Sequence, residues 1–255
     1  MDPLHILVAF GAAFLAGAIN SVGGGGTLVS FPALIWLGLN SVAANATSTV
    51  AIWPGTVGSA WGYRRELVGA EPRFRILIVP SLIGGITGAL LLRWTPPAFF
   101  DKLVPYLILF ATLLFMAQEP VQRMMKTADA ESHKSAKWLL GALLFQLGVA
   151  IYGGYFGAGM GIMMLTELTV LGMTDILKMN ALTSLYALCV NGIAAVLFSV
   201  SHMVRWHFVL AMAVAAVAGG WGAAGVARRV GRTAVRRFVI ALGYVITVVL
   251  FIRIM

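Results

Sequence analysis

Two glycine-rich breaks interrupt long apolar stretches of the sequence. Their glycines are Gly23, Gly24, Gly25 and Gly26 in the first break, and Gly157, Gly159 and Gly161 in the second. Glycine lets backbone N–H groups turn toward a ligand, and a helix that starts there presents the positive end of its dipole. Such a break can hold an anion without a cationic side chain. The alternative is that the glycines only let helices pack closely.

A cluster of polar side chains follows each break, near the predicted start of the next long helix. Its members are Asn45, Thr47, Ser48 and Thr49 after the first break, and Asn180, Thr183 and Ser184 after the second. These groups can donate hydrogen bonds to an oxyanion or cap the helix, but capping requires only one of them. Lys178 precedes the second cluster and either binds the ligand or extends its ammonium group to the membrane interface. We therefore take both breaks, both clusters and Lys178 as candidate substrate-binding residues.

Glu167 is the one acidic residue well inside an apolar segment. An ionisable group at membrane depth is a functional hypothesis by default, because burying it is costly. One interpretation is that Glu167 carries a proton during transport. The other is a neutral or hydrogen-bonded acid packed inside the helix bundle.

Residues that other chemistries need are missing from the sequence. Cys189 is the single cysteine, so a disulfide framework, an iron–sulfur cluster and a cysteine zinc site are excluded. The four histidines are scattered, and there is no Gly-x-Ser-x-Gly, His-Glu-x-x-His or Walker motif. We predict no metal, no cofactor and no enzymatic activity, and an intramembrane enzyme is the least favoured alternative.

The composition places these residues in a polytopic all-α membrane protein. Of the 255 residues, 60% are hydrophobic and 11% are charged, against about 45–50% and about 25% in soluble domains. A spanning helix needs about 20 apolar residues. Eight long candidates are 4–22, 41–61, 75–93, 99–117, 138–156, 176–200, 206–227 and 234–252. Two short ones, 27–38 and 161–172, follow the breaks and either re-enter the membrane or complete a crossing with adjoining extended chain.

An internal repeat relates the two halves of the chain. A gapless offset of 135 residues aligns Gly24 with Gly159, Gly26 with Gly161, Asn45-Ala46 with Asn180-Ala181, Gly84-Gly85 with Gly219-Gly220, and Arg93 with Arg228. Such matches are harder to obtain by chance than apolar ones in so hydrophobic a chain. We predict one membrane-embedded domain, with repeats over 1–117 and 138–255 joined by a polar linker over 118–137.

The basic residues indicate how the two repeats are oriented. The net charge is +9, and 13 of the 18 Lys and Arg lie within 64–75, 123–137 and 228–237. This is the pattern of cytoplasmic loops, so we attribute the charge to topology and not to nucleic-acid binding. The basic loop 64–75 corresponds to the weakly charged 199–210, and the nearly uncharged 94–98 to the basic 229–233. Equivalent loops of the two halves are therefore expected on opposite sides of the membrane, which is the arrangement of an inverted repeat. We expect a cytoplasmic linker, both termini outside, and a first apolar run that is retained, since it lacks the features of a cleaved signal.

The sequence resembles the sulfite exporter TauE/SafE family of membrane permeases over nearly its whole length. The run Asn20-Ser-Val-Gly-Gly-Gly-Gly-Thr-Leu-Val-Ser-Phe-Pro32 resembles that family's first glycine-rich signature. The stretch 43–48 is similar to its Ala-x-x-Thr-Ser element, and 172–184 resembles the second copy. The resemblance implies transport of sulfite, sulfonates or sulfoacetate, often outward, across a bacterial cytoplasmic membrane, and the missing Walker motif leaves secondary transport. Two departures are the incomplete glycine run at 157–161 and Glu167, which stands where the first repeat has Pro32.

The sequence-based hypothesis is therefore a secondary transporter for small sulfur-containing anions, coupled to protons or to the membrane potential. Its partners are the anionic substrate and the lipid bilayer, and no nucleic acid. A carrier for another anion, a cation or a neutral solute remains open. Cation transport usually requires acids near the site, and Glu167 and Asp175 are the only candidates. The sequence leaves the oligomeric state unknown.

Overall fold

The computed structural model describes residues 3–23, 25–68, 72–125, 136–230 and 232–254. These residues form twelve helices and no strand, which confirms the expected all-α fold. The helices are α1 (Pro3–Gly23), α2 (Thr27–Trp36), α3 (Ser41–Gly62), α4 (Arg64–Val68), α5 (Pro72–Arg75), α6 (Ile78–Trp94), α7 (Pro97–Met125), α8 (Ala136–Tyr155), α9 (Met160–Val170), α10 (Ile176–Val200), α11 (Trp206–Val230) and α12 (Arg232–Ile254). Part of the predicted linker, 126–135, lies outside the described residues.

Each long apolar stretch of the sequence forms a helix, because a lipid-facing segment must satisfy its backbone hydrogen bonds internally. The basic stretch 64–75 contains the two short helices α4 and α5, which hydropathy did not predict. Among the described residues, two helical segments are both long and apolar enough to span a bilayer by themselves, Pro97–Ala117 and Ile176–Val200. The count of eight spans therefore stays a prediction.

The starts of α3 and α10 are fixed by residues outside the two polar clusters. Asn40 caps α3, and its side-chain oxygen accepts a hydrogen bond from the Ala43 N–H at 2.8 Å. Asp175 caps α10 and accepts from the N–H groups of Leu177 and Lys178 at 3.0 and 3.3 Å. Capping therefore does not account for the clusters, which lie further along both helices.

Closely packed helix pairs surround α3 and α10. Helix α1 packs along α11 and α6 packs along α8, while α3 and α10 contact each other and the flanking α11 and α6. Glycines make the tightest contacts: a Cβ on Gly84 would lie 2.8 Å from the Leu147 carbonyl oxygen, and one on Gly88 would lie 2.7 Å from the Tyr155 nitrogen. These two glycines therefore serve helix packing, since small residues let membrane helices approach closely.

Helix α8 offers a matched test of this packing. A Cβ on Gly154 would lie 2.5 Å from the Gly85 carbonyl oxygen, whereas one on Gly148 would meet nothing within 4 Å. We expect Gly154→Ala to destabilise the protein by about 1–3 kcal/mol, because overpacking forces the helices apart. Gly148→Ala should leave stability unchanged or raise it by up to about 1 kcal/mol through helix propensity. Thermal unfolding of both variants in one detergent measures the difference, and equal melting temperatures would contradict the packing account.

Candidate functional site

A polar cavity of about 100 Å³ lies between α3 and α10, where the two glycine breaks meet. Its lining residues are Asn20, Gly25, Thr27, Thr49, Ile52, Thr56, Ser59, Tyr63, Phe156, Gly157, Met160, Gly161, Leu165, Asn180, Thr183, Ser184, Ala187 and Asn191. Amides, hydroxyls and backbone groups provide its polar surface. Within the part of the chain that the structure describes, no charged side chain lines it.

Most candidates from the second half reach this cavity. Gly157 and Gly161 line it from the second break, and Asn180, Thr183 and Ser184 line it from α10. The Thr183 hydroxyl is buried and has no hydrogen-bond partner among the described residues, so it is available to a ligand. The structure thus brings the second break and the second cluster together, as their chemistry predicts.

The first cluster divides between the cavity and the helix packing. Thr49 lines the cavity, but the other three residues of the cluster use their polar groups elsewhere. The Asn45 amide Nδ2 donates to the Tyr155 carbonyl oxygen at 2.8 Å, and the Thr47 hydroxyl accepts from the Arg205 N–H at 3.1 Å. The Ser48 hydroxyl lies 2.6 Å from that of Ser30. These bonds join α3 to neighbouring segments, which is a structural use of three predicted ligand residues.

The first glycine break is shaped largely by backbone and packing demands. The Gly26 N–H donates to the Asn20 side-chain oxygen at 2.8 Å, so this amide is already engaged. A Cβ on Gly26 would overlap the Ala16 backbone, and one on Gly25 would overlap the Phe115 ring. Gly25 also has a φ of +106°, which favours glycine, and it lines the cavity.

The remaining glycines of the two breaks have separate positions. Gly23 ends α1, and Gly24 lies outside the described residues. Gly159 precedes α9 in a left-handed conformation with a φ of +78°, and a Cβ there would make ordinary contacts with Ala111 and Leu114. Gly159 therefore serves the turn into α9, and its neighbours Gly157 and Gly161 face the cavity.

Both charged candidates lie apart from the cavity lining. The Lys178 ammonium group is 3.9 Å from the Asp175 carboxylate, and both side chains are nearly half exposed. Glu167 is only 4% exposed, and neither of its carboxyl oxygens has a hydrogen-bond partner among the described residues. Its neighbours on α9, Met164 and Leu168, belong to an apolar cluster. The structure thus places Lys178 near a helix start and Glu167 in the bundle interior.

Sequence reasoning missed several polar lining residues, which are Thr56, Ser59, Tyr63 and Asn191, together with Asn20 and Thr27. Four of them lie on α3 and α10 or just beyond α3, one or more turns past the predicted clusters. The lining positions 49, 52, 56, 59 and 63 are spaced by three or four residues, which is the period of one helix face. This spacing in the sequence could have identified the face of α3 that lines the cavity.

The lining chemistry suits a small ligand rich in hydrogen-bond acceptors. Asn amides and Ser, Thr and Tyr hydroxyls can all donate. A hard cation would instead need several carboxylate or carbonyl oxygens. No group of three or more His, Cys, Asp or Glu able to hold a metal occurs in the described ranges.

A helical bundle in which two broken segments meet at a polar cavity is the architecture of a membrane transporter. The chain belongs to the sulfite exporter TauE/SafE family, whose model matches residues 9–250. It is 26% identical to a probable membrane transporter protein of Haemophilus influenzae, over 97% of this chain and 94% of that one. It is 28% identical to the probable membrane transporter protein YfcA of Escherichia coli K12, over 63% of this chain and 58% of that one. No solved structure matches.

Proposed function

We propose that this transporter exports small sulfur-containing anions, such as sulfite, sulfonates or sulfoacetate, by secondary transport across the bacterial cytoplasmic membrane. The observation that carries the proposal is the polar, uncharged cavity between α3 and α10. Its amide and hydroxyl donors can replace the water around three sulfonate or sulfite oxygens. Hydrogen bonds to a charged group are about twice as strong as neutral ones, so a few such donors suffice.

The cavity favours an anion over a cation. A bound cation would need several carboxylate or carbonyl oxygens, and no carboxylate is supplied by the two acidic candidates, because Glu167 is buried away from the lining and Asp175 caps α10. A bound anion needs donors, and the Thr183 hydroxyl is a buried donor without a partner among the described residues. The membrane potential, negative inside, would help to expel an anion. A neutral solute is the alternative that competition between charged and uncharged compounds would detect.

We propose further that the cavity lies at the centre of an inverted repeat. Four pairs of lining residues are 135 positions apart: Gly25 and Met160, Thr49 and Ser184, Ile52 and Ala187, and Thr56 and Asn191. Helix packing is reciprocal as well, because α1 contacts α11 as α8 contacts α6, and α3 contacts α11 as α10 contacts α6. An offset of 135 residues therefore converts each of these helix contacts into its counterpart in the other half of the chain. A substrate site at the repeat interface is the common arrangement in secondary transporters.

The proposed topology places both termini outside and the basic segments 64–75 and 229–237 in the cytoplasm. Single cysteines in a Cys189→Ser background test it. We expect an impermeant thiol reagent added outside cells to label Ala98→Cys but not Arg65→Cys. Both native residues are exposed, so reactivity depends on sidedness. The reverse labelling pattern would contradict the topology and the inverted repeat together.

Flux measurements in proteoliposomes test the proposed function. Vesicles loaded with labelled sulfite or organosulfonates should lose label in a protein-dependent way, faster under an imposed potential or proton gradient. Sulfate, sodium and an uncharged sulfone provide controls for charge and shape. Absence of protein-dependent flux for every sulfur anion, in either direction, would contradict the proposal.

A further inference from the structure

Aromatic rings from both halves of the chain close one end of the cavity. Phe156 lines the cavity and is 1% exposed. Its ring meets Phe31 edge-on with centroids 5.5 Å apart, and its centroid lies 6.4 Å from that of Phe100. Phe31 and Phe100 are as inaccessible as Phe156. A polar solute cannot pass this end unless the rings separate.

Hydrogen bonds hold these rings against the neighbouring helices. The Tyr155 ring packs edge-on against Phe100 with centroids 5.5 Å apart, and its hydroxyl lies 3.3 Å from that of Thr95. The Tyr155 carbonyl oxygen accepts from the Asn45 amide at 2.8 Å. We name the four residues Phe31, Phe100, Tyr155 and Phe156 the aromatic plug. The plug joins α2, α7 and α8 and is tied to α3 through Asn45.

The opposite end of the cavity is polar. Ser59 and Tyr63 line it where α3 ends, directly before Arg64, and both are partly exposed. The positions 135 residues from Phe31, Tyr155 and Phe156 hold Thr166, Asn20 and Ser21. Under the proposed repeat, three of the four ring positions therefore correspond to small polar residues, and the fourth, Phe100, corresponds to Val235. This asymmetry makes one end an apolar barrier and the other an entrance.

We infer that the aromatic plug is the outer gate of the transporter, closed in the described conformation while the Ser59–Tyr63 end is open to the cytoplasm. The inference rests on the proposed function, because a gate requires that a solute passes. Release of the solute then requires Phe156 to separate from Phe31 and Phe100. Asn45 acts as a positioning residue that couples this separation to α3, the helix that also carries Thr49.

Cavity accessibility tests the gate without any substrate. Ala187 lines the cavity on α10, so Ala187→Cys in a Cys189→Ser background reports on entry. A charged, impermeant methanethiosulfonate is applied to right-side-out and to inside-out vesicles. We expect fast labelling from the cytoplasmic side and slow labelling from the outside. Equal rates from both sides would overturn the assignment of a closed outer gate.

Removing a ring of the plug should open the outer path. Phe156→Ala, and Phe156→Leu as a milder variant in case the first fails to fold, should raise the outside labelling rate about tenfold or more. A tenfold change corresponds to about 1.4 kcal/mol in the opening equilibrium. Phe110→Ala is the matched control, since this ring packs on Tyr152 at 5.4 Å but is 42% exposed and does not line the cavity. If the folded Phe156 variants are labelled from outside no faster than the control, the assignment of the aromatic plug as the outer gate is wrong.

The two proposals fail in distinguishable ways. Faster outside labelling in Phe156→Ala, without flux of any sulfur anion, would support the gate and contradict the proposed substrate class. Flux of sulfur anions with unchanged outside labelling would support the substrate class and contradict the gate. Asn45→Ala tests the positioning role of Asn45. We expect it to raise the outside labelling rate and to leave the cytoplasmic rate unchanged, whereas loss of a merely structural residue would not change the outside rate alone.

Discussion

Replacing the cavity hydroxyls of Thr49 and Ser184 should remove most of the affinity for sulfite. Thr49→Val keeps the shape of the side chain and removes its hydroxyl, which donates to the Asn45 carbonyl oxygen at 3.0 Å in the described structure and would turn toward a bound anion. Ser184→Ala removes the hydroxyl that lines the cavity 135 positions later. Each lost hydrogen bond to a charged ligand should cost about 1.5–3 kcal/mol, or roughly one to two orders of magnitude in affinity. Titration of purified protein with sulfite measures the single and double variants.

Thr87→Val is the matched control for this series. Its hydroxyl donates to the Ile83 carbonyl oxygen of its own helix at 2.9 Å, and Thr87 is not among the cavity-lining residues. The control should bind sulfite as the parent protein does. Unchanged affinity in the double variant would show that Thr49 and Ser184 do not bind sulfite. The assignment of the protein as a membrane transporter would not be affected.

Glu167→Gln should abolish flux driven by a proton gradient while sparing substrate binding. Glu167 is 4% exposed and lies apart from the cavity lining. Charging a buried carboxylate without a partner costs several kcal/mol, so a change of protonation there would have to accompany a conformational change. Glutamine keeps the size and polarity but cannot carry the proton.

The measurement for Glu167 compares two forms of transport in vesicles. Exchange of labelled sulfite against unlabelled sulfite needs no net proton movement and should continue in Glu167→Gln. Net flux under a pH gradient should fall to the protein-free level. Asp101→Asn, which alters an exposed carboxyl group on α7, should behave as the parent does. Full proton-driven flux in Glu167→Gln would assign this residue to packing alone.

Hydropathy and glycine spacing suffice to predict the long apolar helices, because a lipid-facing backbone must be helical and its breaks must fall at special residues. They do not predict the short helices α4 and α5 in the basic stretch 64–75. They do not fix which side of a helix faces the ligand. Adjacent residues on a helix point about 100° apart, so the spacing of Ser48 and Thr49 does not show which of the two faces the cavity. The structure directs Thr49 inward and pairs Ser48 with Ser30.

The first glycine break shows a second limit of sequence reasoning. Free backbone amides are a reasonable expectation for four consecutive glycines. A side chain outside the glycine run can nevertheless accept a hydrogen bond from one of these amides. The Asn20 oxygen, six residues earlier, accepts from the Gly26 N–H. A Gly25→Val substitution would therefore test packing against Phe115 as much as anion binding, and the cavity hydroxyls are the cleaner target.

A crystal structure with selenite, located by anomalous scattering, tests whether a pyramidal sulfur oxyanion binds between α3 and α10. Selenite has the shape and charge of sulfite, and selenium is otherwise absent from a protein with ordinary methionine. In Cys189→Ser protein, which avoids reaction with the thiol, we predict one anomalous selenium peak in the cavity, at a position that puts the selenite oxygens within hydrogen-bond distance of the Thr49, Thr183 and Ser184 hydroxyls. Selenite that binds in solution but gives its peak outside this cavity, or no selenite binding at all, would contradict the account.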